Sequence, residues 1–386
     1  MRAIAMLAAI LLAGGSQAIP AAAQAQARGS MELGGRALVM TPAETKALAD
    51  VRGAIAGRNR AAQDGALAAA HRAAQGPDAR HVLALYELEI ARQRNDDAMR
   101  AQALDVLIAS SLTDAATLAS YLGVRGGIAF TRGDLATAGT LWGRLLEMKP
   151  GDAGVLSNLA QVRVAQNDAA GAADLLGRAV AAHTAAGQPV SEALYRQWMG
   201  VALQARQVQP GIAAAHALVR AYPGAGNWRD ALNVYRQLAA PKDVLEIDLL
   251  RLMRATGSLS TGNEYQRMAQ LLGLAGLGIE AKAVLDEGQM RSLLDPFDAT
   301  THKVIAEIDR VAAQERSRPA PAPTAVPVRQ AMALAFAGRS AEAEALFRSA
   351  AAAPGYADIA LFWLDWLAQQ PKGQPALPSP YPPPAG

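Results

Sequence analysis

The sequence predicts an all-α fold in which antiparallel helical hairpins stack into an α-solenoid. The first observation is composition: 51% of the 386 residues are hydrophobic but only 5% are aromatic. Alanine and leucine dominate the apolar residues, and these are the strongest helix formers, whereas strands favour β-branched and aromatic residues. The second observation is a helix–turn–helix pattern that recurs at a fixed distance along the chain.

The clearest repeat spans residues 122–179. Its two turn signals, Gly133-Asp134 and Asn167-Asp168, lie 34 residues apart. Small residues at Gly126 and Ala160 mark the middle of the preceding helix in each copy, where a small side chain lets two helices approach closely. After each turn a small and a bulky residue stand four apart, as Ala138 and Trp142 and as Ala172 and Leu176.

This pattern resembles the tetratricopeptide repeat, a helix–turn–helix unit of about 34 residues. The resemblance covers most of residues 43–370 and implies a groove, lined by the first helix of each unit, that takes a peptide. Mapped onto this chain, it implies five groove-lining candidates: Asn158, Gln161, Gln197, Trp198 and Gln204. Most of these side chains are neutral, so the basic clamp that some family members use for a C-terminal carboxylate is not evident.

Further units are less regular than these two copies. Turn residues are expected at Asn95, Gly226, Gly276 and Gly338, each followed by residues typical of a second helix. The first helix is expected to begin at Thr41-Pro42-Ala43-Glu44. There a capping threonine, a first-turn proline and a glutamate that reaches back to the cap stand together.

Composition divides the chain into segments. A Pro-rich stretch after Arg316 is incompatible with helix and predicts an extended connector. The predicted segments are a signal peptide (1–27), an N-terminal segment (28–42), a helical repeat domain (43–316), a Pro-rich linker (317–327), a C-terminal helical hairpin (328–370) and a disordered Pro-rich tail (371–386).

The first residues predict export from the cytoplasm. Met1-Arg2 is followed by an apolar run from Ala3 to Ala13 and then by small residues with A-x-A spacing, which is typical of a secretory signal peptide. No other stretch approaches the ~20 apolar residues that span a bilayer. The chain has no cysteine, which excludes both disulfides and a lipoprotein anchor. We therefore expect a periplasmic or secreted protein without a membrane span after cleavage.

Catalytic, metal and nucleic-acid sites are not expected. The 37 basic and 34 acidic residues are scattered, whereas nucleic-acid binders cluster their basic side chains. The five histidines lack ligand spacing and there is no cysteine, so we predict no metal and no cofactor. No nucleophile elbow or phosphate loop is present, and the glutamate context of lytic transglycosylases, which are also exported helical superhelices, is missing.

Two tryptophans near the C-terminus allow two interpretations. Trp363 and Trp366 share one face of a predicted helix. They either dock this last hairpin onto the solenoid or form an exposed anchor for a partner. The same choice between packing and groove lining applies to Tyr195, Trp198, Trp228 and Tyr235.

These observations favour a non-catalytic scaffold that binds a protein or peptide in the bacterial cell envelope. One alternative is a structural component of an envelope export or polysaccharide-secretion assembly, which rests on analogy between folds alone. An unrecognised enzyme, such as one that acts on peptidoglycan, is a third hypothesis. The sequence leaves the partner, the pathway and the oligomeric state open.

Overall fold

The structure is a computed structural model that describes residues 32–33, 36–317, 327–353 and 355–370, apart from the side chain of Asp243. The described residues form eighteen α-helices and one two-stranded antiparallel pair of strands. Consecutive helices pack against each other along the chain, which confirms the predicted all-α solenoid of helical hairpins. The predicted signal peptide, the tail and residues 318–326 of the linker lie outside the described residues.

The chain is divided into two compact units, Met1–Asn167 (unit 1) and Asp168–Gly386 (unit 2). This division differs from the predicted one, which placed a single repeat domain over 43–316 and a separate hairpin after it. The described elements of unit 1 are β1 (Glu32–Leu33), β2 (Arg36–Ala37), α1 (Pro42–Gly57), α2 (Arg60–Ala73), α3 (Pro77–Arg94), α4 (Asp97–Ala109), α5 (Ala115–Thr131), α6 (Leu135–Met148) and α7 (Ala153–Ala165).

One turn geometry recurs along both units. A residue with a left-handed backbone is followed by the N-cap residue, and the next helix begins immediately after it. Seven positions share this turn, with the left-handed residue at Arg58, Asn95, Gly133, Asn167, Arg206, Gly276 and Gly338. Gly and Asn adopt this conformation at little cost, which is why the sequence revealed five of the seven. The small residues Ala138 and Ala172 are fully buried.

Unit 2 contains the remaining eleven helices that the structure describes. They are α8 (Ala169–Ala185), α9 (Glu192–Gln204), α10 (Val208–Ala221), α11 (Ala225–Ala239), α12 (Asp243–Ala255), α13 (Gly262–Leu274), α14 (Gly278–Met290), α15 (Ala299–Arg316), α16 (Pro327–Phe336), α17 (Ser340–Ala351) and α18 (Ala357–Ala368). Gly226 lies inside α11, so the predicted turn there is wrong; the chain enters α11 directly after Gly224, the N-cap residue of that helix.

The C-terminal segment differs from the prediction of a separate hairpin. It consists of three helices, and α18 packs against both α10 and α12. Helix α12 is consequently enclosed on all sides, and its residues 246–253 are all buried. The apolar side chains of α16, α17 and α18 belong to the same core as those of α9 to α15. Hydrophobic burial, the dominant favourable term in folding, therefore joins this segment to unit 2.

The capping box at the start of α1 is confirmed and carries a further role. The Glu44 carboxylate accepts the backbone N–H of Thr41 at 2.8 Å and also those of Gln75 and Gly76, at 3.0 and 2.8 Å. Glu44 thereby ties the start of α1 to the loop before α3. Hydrogen bonds to the charged form, those of the Thr41 and Gly76 backbone first, lower the pKa of Glu44 from 4.5 to about 2.

We expect the Glu44 contribution to the free energy of unfolding to be pH-dependent. The carboxylate has its ordinary pKa in the unfolded chain and a lowered one in the folded chain. Its stabilisation is therefore complete above about pH 4.5 and is lost as the pH falls towards 2. In Glu44→Gln, protection of the Gln75 and Gly76 amides from hydrogen exchange is reduced at pH 6. The further loss that wild type shows between pH 5 and 3 is absent.

The measurement is hydrogen-exchange mass spectrometry of the peptide that spans residues 72–80, corrected for intrinsic exchange rates. Glu307→Gln is the matched control, because the Glu307 side chain is 64% exposed and pairs only loosely with Arg310 at 3.7 Å. Equal acid sensitivity of wild type and Glu44→Gln in this peptide would contradict the assignment.

Candidate binding surface

The first helices of four consecutive hairpins in unit 2, α9, α11, α13 and α15, are joined by a polar ladder. In α9, α11 and α13 the fifth residue donates a hydrogen bond to the third residue of the following first helix. Arg196 donates to Asn227, Arg229 donates to Glu264 at 3.2 Å, and Gln266 donates to Thr301 at 2.8 Å. The ladder fixes these helices in the same order in space as in sequence.

The residue before each ladder donor is aromatic and buried. The fourth positions of α9, α11 and α13 are Tyr195, Trp228 and Tyr265, which are 8%, 2% and 0% exposed. Each of these rings belongs to the core of unit 2. Tyr195 and Trp228 therefore pack between helices and do not line a groove, and the same holds for Tyr235, which is 3% exposed.

A second set of positions points away from this core. The sixth, ninth and thirteenth residues of a helix share one face. In α9, α11 and α13 all nine such residues are exposed or half-buried. We call this set the first-helix face. It comprises Gln197, Gly200, Gln204, Asp230, Asn233, Gln237, Arg267, Gln270 and Leu274.

Primary amides dominate the first-helix face. Five of its nine residues are Asn or Gln, and within the described part of the chain none of these five side chains has a hydrogen-bond partner. Its two charges are paired, because Asp230 accepts from Arg196 and Arg267 donates to Glu246 at 2.7 Å. The face therefore offers neutral groups, each of which both donates and accepts.

The predicted groove residues fall into three groups. Gln197 and Gln204 are exposed and lie seven positions apart on the first-helix face. Trp198 is half-buried, and its ring packs so closely on α8 that a Cβ at Gly177 would lie 3.0 Å from it. Asn158, half-buried, and Gln161, exposed, lie three positions apart on α7 of unit 1.

The interpretation of Trp363 and Trp366 as an exposed partner anchor is wrong. The two residues are 0% and 3% exposed, and their rings form an edge-to-face pair with centroids 5.3 Å apart. Trp363 also stacks on Phe347 at 5.8 Å. Large aromatic side chains that are removed from water in this way stabilise the core. They are not available to a partner.

Polar contacts complete the attachment of α18 to the rest of unit 2. The Asp365 carboxylate on α18 pairs with His216 at 2.6 Å and with Arg220 at 2.5 Å, both on α10. The His216 ring stacks on Phe362 with centroids 3.7 Å apart. Gln369 accepts the Trp228 indole N–H at 3.1 Å. The cluster packs α18 onto α10, and His216 Nε2 is buried without a hydrogen-bond partner among the described residues.

Sequence reasoning missed Asn233, Gln237 and Gln270 on the first-helix face. A signal was present for Gln237, because it lies 33 residues after Gln204 and both are thirteenth in their helices. The wrong turn at Gly226 placed α11 out of register and hid that spacing.

None of the helices over residues 36–317, 327–353 and 355–370 has both the length and the apolar composition needed to cross a membrane. In the same part of the chain no three His, Asp or Glu side chains are grouped so as to hold a metal ion. Comparison with models of known protein families gives no match, and no curated protein is detectably similar to this chain.

Proposed function

We propose that this chain is a non-catalytic scaffold of the bacterial cell envelope that binds an extended segment of a protein partner on the first-helix face. The observation that carries the proposal is the row of five amide side chains on three consecutive first helices, none of which has a hydrogen-bond partner among the described residues. Membership of the tetratricopeptide-repeat family and export to the periplasm belong to the same proposal. The recurrent turn and the apolar start of the chain support them.

The chemistry of the face fits a peptide main chain. An extended peptide presents N–H and C=O groups alternately, and each needs a partner when it leaves water. A Gln or Asn side chain supplies both a donor and an acceptor. Because the two charges of the face are already paired, recognition would depend little on the charge of the peptide. Its side chains would add specificity.

The rigid spacing of the helices also favours such binding. The ladder pairs neighbouring first helices at their N-terminal ends through Arg196 and Arg229. A surface that is held in its binding geometry loses less conformational entropy when a ligand binds. The fixed arrangement of the helices would therefore increase the affinity for the peptide, in addition to the direct contacts.

Site-specific photo-crosslinking in cells tests this proposal. A photoreactive phenylalanine analogue replaces Gln204 or Gln237, which are exposed on the first-helix face. Gln209 is the matched control, an exposed glutamine on the second helix α10. We expect protein adducts of one size at Gln204 and Gln237 and none at Gln209.

The outcomes separate the hypotheses. Equal adducts at all three positions, or adducts at Gln209 alone, would overturn the first-helix face as the binding surface. Adducts with subunits of an outer-membrane or polysaccharide-synthesis complex would assign the chain to an envelope assembly as a structural component. Peptidoglycan hydrolysis by the purified chain, abolished by a point mutation, would replace the scaffold by an enzyme.

A further inference from the structure

Unit 1 contains a pocket of about 340 Å³ that none of the preceding features uses. It lies where the strand pair, α3 and the start of α5 meet. Its polar lining includes Arg36, His81, Thr113, Asp114 and Tyr121. The volume is at the lower end of the range for small-molecule sites, about 300–1,000 Å³.

His81 forms part of the buried wall of this pocket. The residue is only 3% exposed, and its Nδ1 lies 2.8 Å from the Ser110 hydroxyl. The Ser110 oxygen also accepts the Leu112 N–H at 3.2 Å, and we assign the Ser110 hydroxyl as the donor to His81 Nδ1. The hydrogen bond of the His81 ring within the described residues is the one at Nδ1, so the other ring nitrogen, Nε2, has no partner there. Because His81 lines the pocket, Nε2 is the polar atom that the ring offers to a ligand.

His81 and Tyr121, two uncharged groups of the pocket, are both protonated so that they can donate a hydrogen bond. Burial lowers the pKa of His81, although the charge of Asp78 opposes this. The ring is therefore neutral near pH 7, and Nε2 carries the proton when Nδ1 accepts from Ser110. Burial raises the pKa of Tyr121, and the nearby negative charge of Asp114 raises it further. The Tyr121 hydroxyl, which has no partner in the described part of the chain, remains a neutral donor.

The two charges on the pocket wall have opposite signs. The guanidinium of Arg36 is 59% exposed and forms an ion pair with Asp78 at 3.7 Å, too long for a hydrogen bond. No hydrogen bond to another described residue engages its N–H groups, so they can donate to a ligand. The Asp114 carboxylate accepts the Thr117 hydroxyl at 2.6 Å and the Thr117 N–H at 3.0 Å. These bonds lower the pKa of Asp114, so it is ionised, and a carboxylate has further acceptor positions.

We propose that this pocket binds a small zwitterion of amino-acid or dipeptide size. The ligand carboxylate pairs with Arg36 and accepts from the neutral donors His81 and Tyr121, and the ligand ammonium lies beside Asp114. Among the described residues that line the pocket, one side chain is positive, Arg36, and one is negative, Asp114, and this pair matches a zwitterion better than an anion or a cation. This site is in unit 1 and is independent of the first-helix face.

Calorimetric titration of the full chain with L-alanyl-L-alanine tests the assignment. N-acetyl-L-alanine and L-alaninamide, each with one of the two charges, are titrated in parallel. We expect the dipeptide to bind about tenfold more tightly than either, because each lacks one ion pair. Arg36→Gln should weaken dipeptide binding about tenfold, as loss of the ligand carboxylate does, and Tyr121→Phe should weaken binding about three- to tenfold with an unchanged melting temperature.

Tyr86→Phe is the matched control, a buried tyrosine of unit 1 that does not line the pocket, and it should bind like wild type. Equal binding of N-acetyl-L-alanine would overturn the zwitterion assignment. No binding of the three probes at 10 mM, or wild-type binding by both Arg36→Gln and Tyr121→Phe, would overturn the pocket as their site. The crosslinking result on unit 2 does not alter any of these outcomes.

Discussion

Replacing Trp363 by alanine is expected to lower the free energy of unfolding of unit 2 by about 3–5 kcal/mol. The ring is 0% exposed and is enclosed by Phe347, Phe336 and Trp366 at centroid distances of 5.8, 6.1 and 5.3 Å. Its removal leaves a cavity that these rigid rings cannot fill. The indole N–H has no hydrogen-bond partner in the part of the chain that the structure describes, so the expected loss is one of packing.

Urea denaturation followed by circular dichroism measures the change. Phe297→Ala is the matched control, since this aromatic side chain is 93% exposed and its loss should change the free energy by less than about 0.5 kcal/mol. If the two variants unfold at the same urea concentration, Trp363 is not part of the core. That result would support the other interpretation, in which Trp363 and Trp366 form an exposed anchor for a partner.

The Trp363 result also measures how firmly the last three helices belong to unit 2. From the sequence, a short terminal hairpin after a proline-rich stretch is predicted to be a separate segment. The local pattern of apolar residues contains no information about which distant residues it contacts. In the structure Phe362 stacks on His216, a residue 146 positions earlier, and Asp365 pairs with the same histidine across 149 positions. The sequence could reveal the aromatic cluster but not what covers it.

Local signals predicted the helices and their turns better than the register of the repeat. Left-handed turns at Gly133 and Asn167 and the cap at Thr41 depend on a few adjacent residues, and the structure shows all three. The first helices of unit 2 begin at residues 192, 225, 262 and 299, so their spacing is not constant. A search at a fixed period of 34 residues therefore misaligns them and misses the ladder donors Arg229 and Gln266.

The same limit applies to the binding surface. Gln197 and Gln204 could be predicted because they lie in a helix with a clear start at Ser191. Helix α11 has no side-chain cap, so its first residue, and with it the position of Gln237 in the helix, could not be predicted from the sequence. Helix α12 was harder still, because its eight consecutive residues 246–253 are buried and include the charged residues Glu246, Asp248 and Arg251.

Buried charged side chains of α12 form the ion-pair cluster whose disruption should lower the free energy of unfolding about as much as the loss of Trp363. Arg251, 7% exposed, donates to Glu280 at 2.6 and 2.8 Å and to Asp248 at 2.9 Å. Arg329, which is half-buried, lies 3.4 Å from Asp248, so among the described groups two arginines face two carboxylates. Burial raises the pKa of Asp248 against the opposing charges of Arg251 and Arg329. The balance is therefore necessary for these groups to remain ionised away from water.

Replacing Glu280 by alanine should lower the free energy of unfolding by about 3–5 kcal/mol, because it leaves an excess positive charge in the core. The matched control is Glu344→Ala, which breaks an Arg–Glu pair whose side chains are 47% and 71% exposed and should cost less than about 1 kcal/mol. Urea denaturation of both variants gives the comparison. In Arg251→Met/Glu280→Met both charges of the bidentate pair are removed, so the loss should be smaller than in Glu280→Ala. A double variant less stable than Glu280→Ala would show that Arg251 stabilises the fold mainly through Asp248 and not through Glu280.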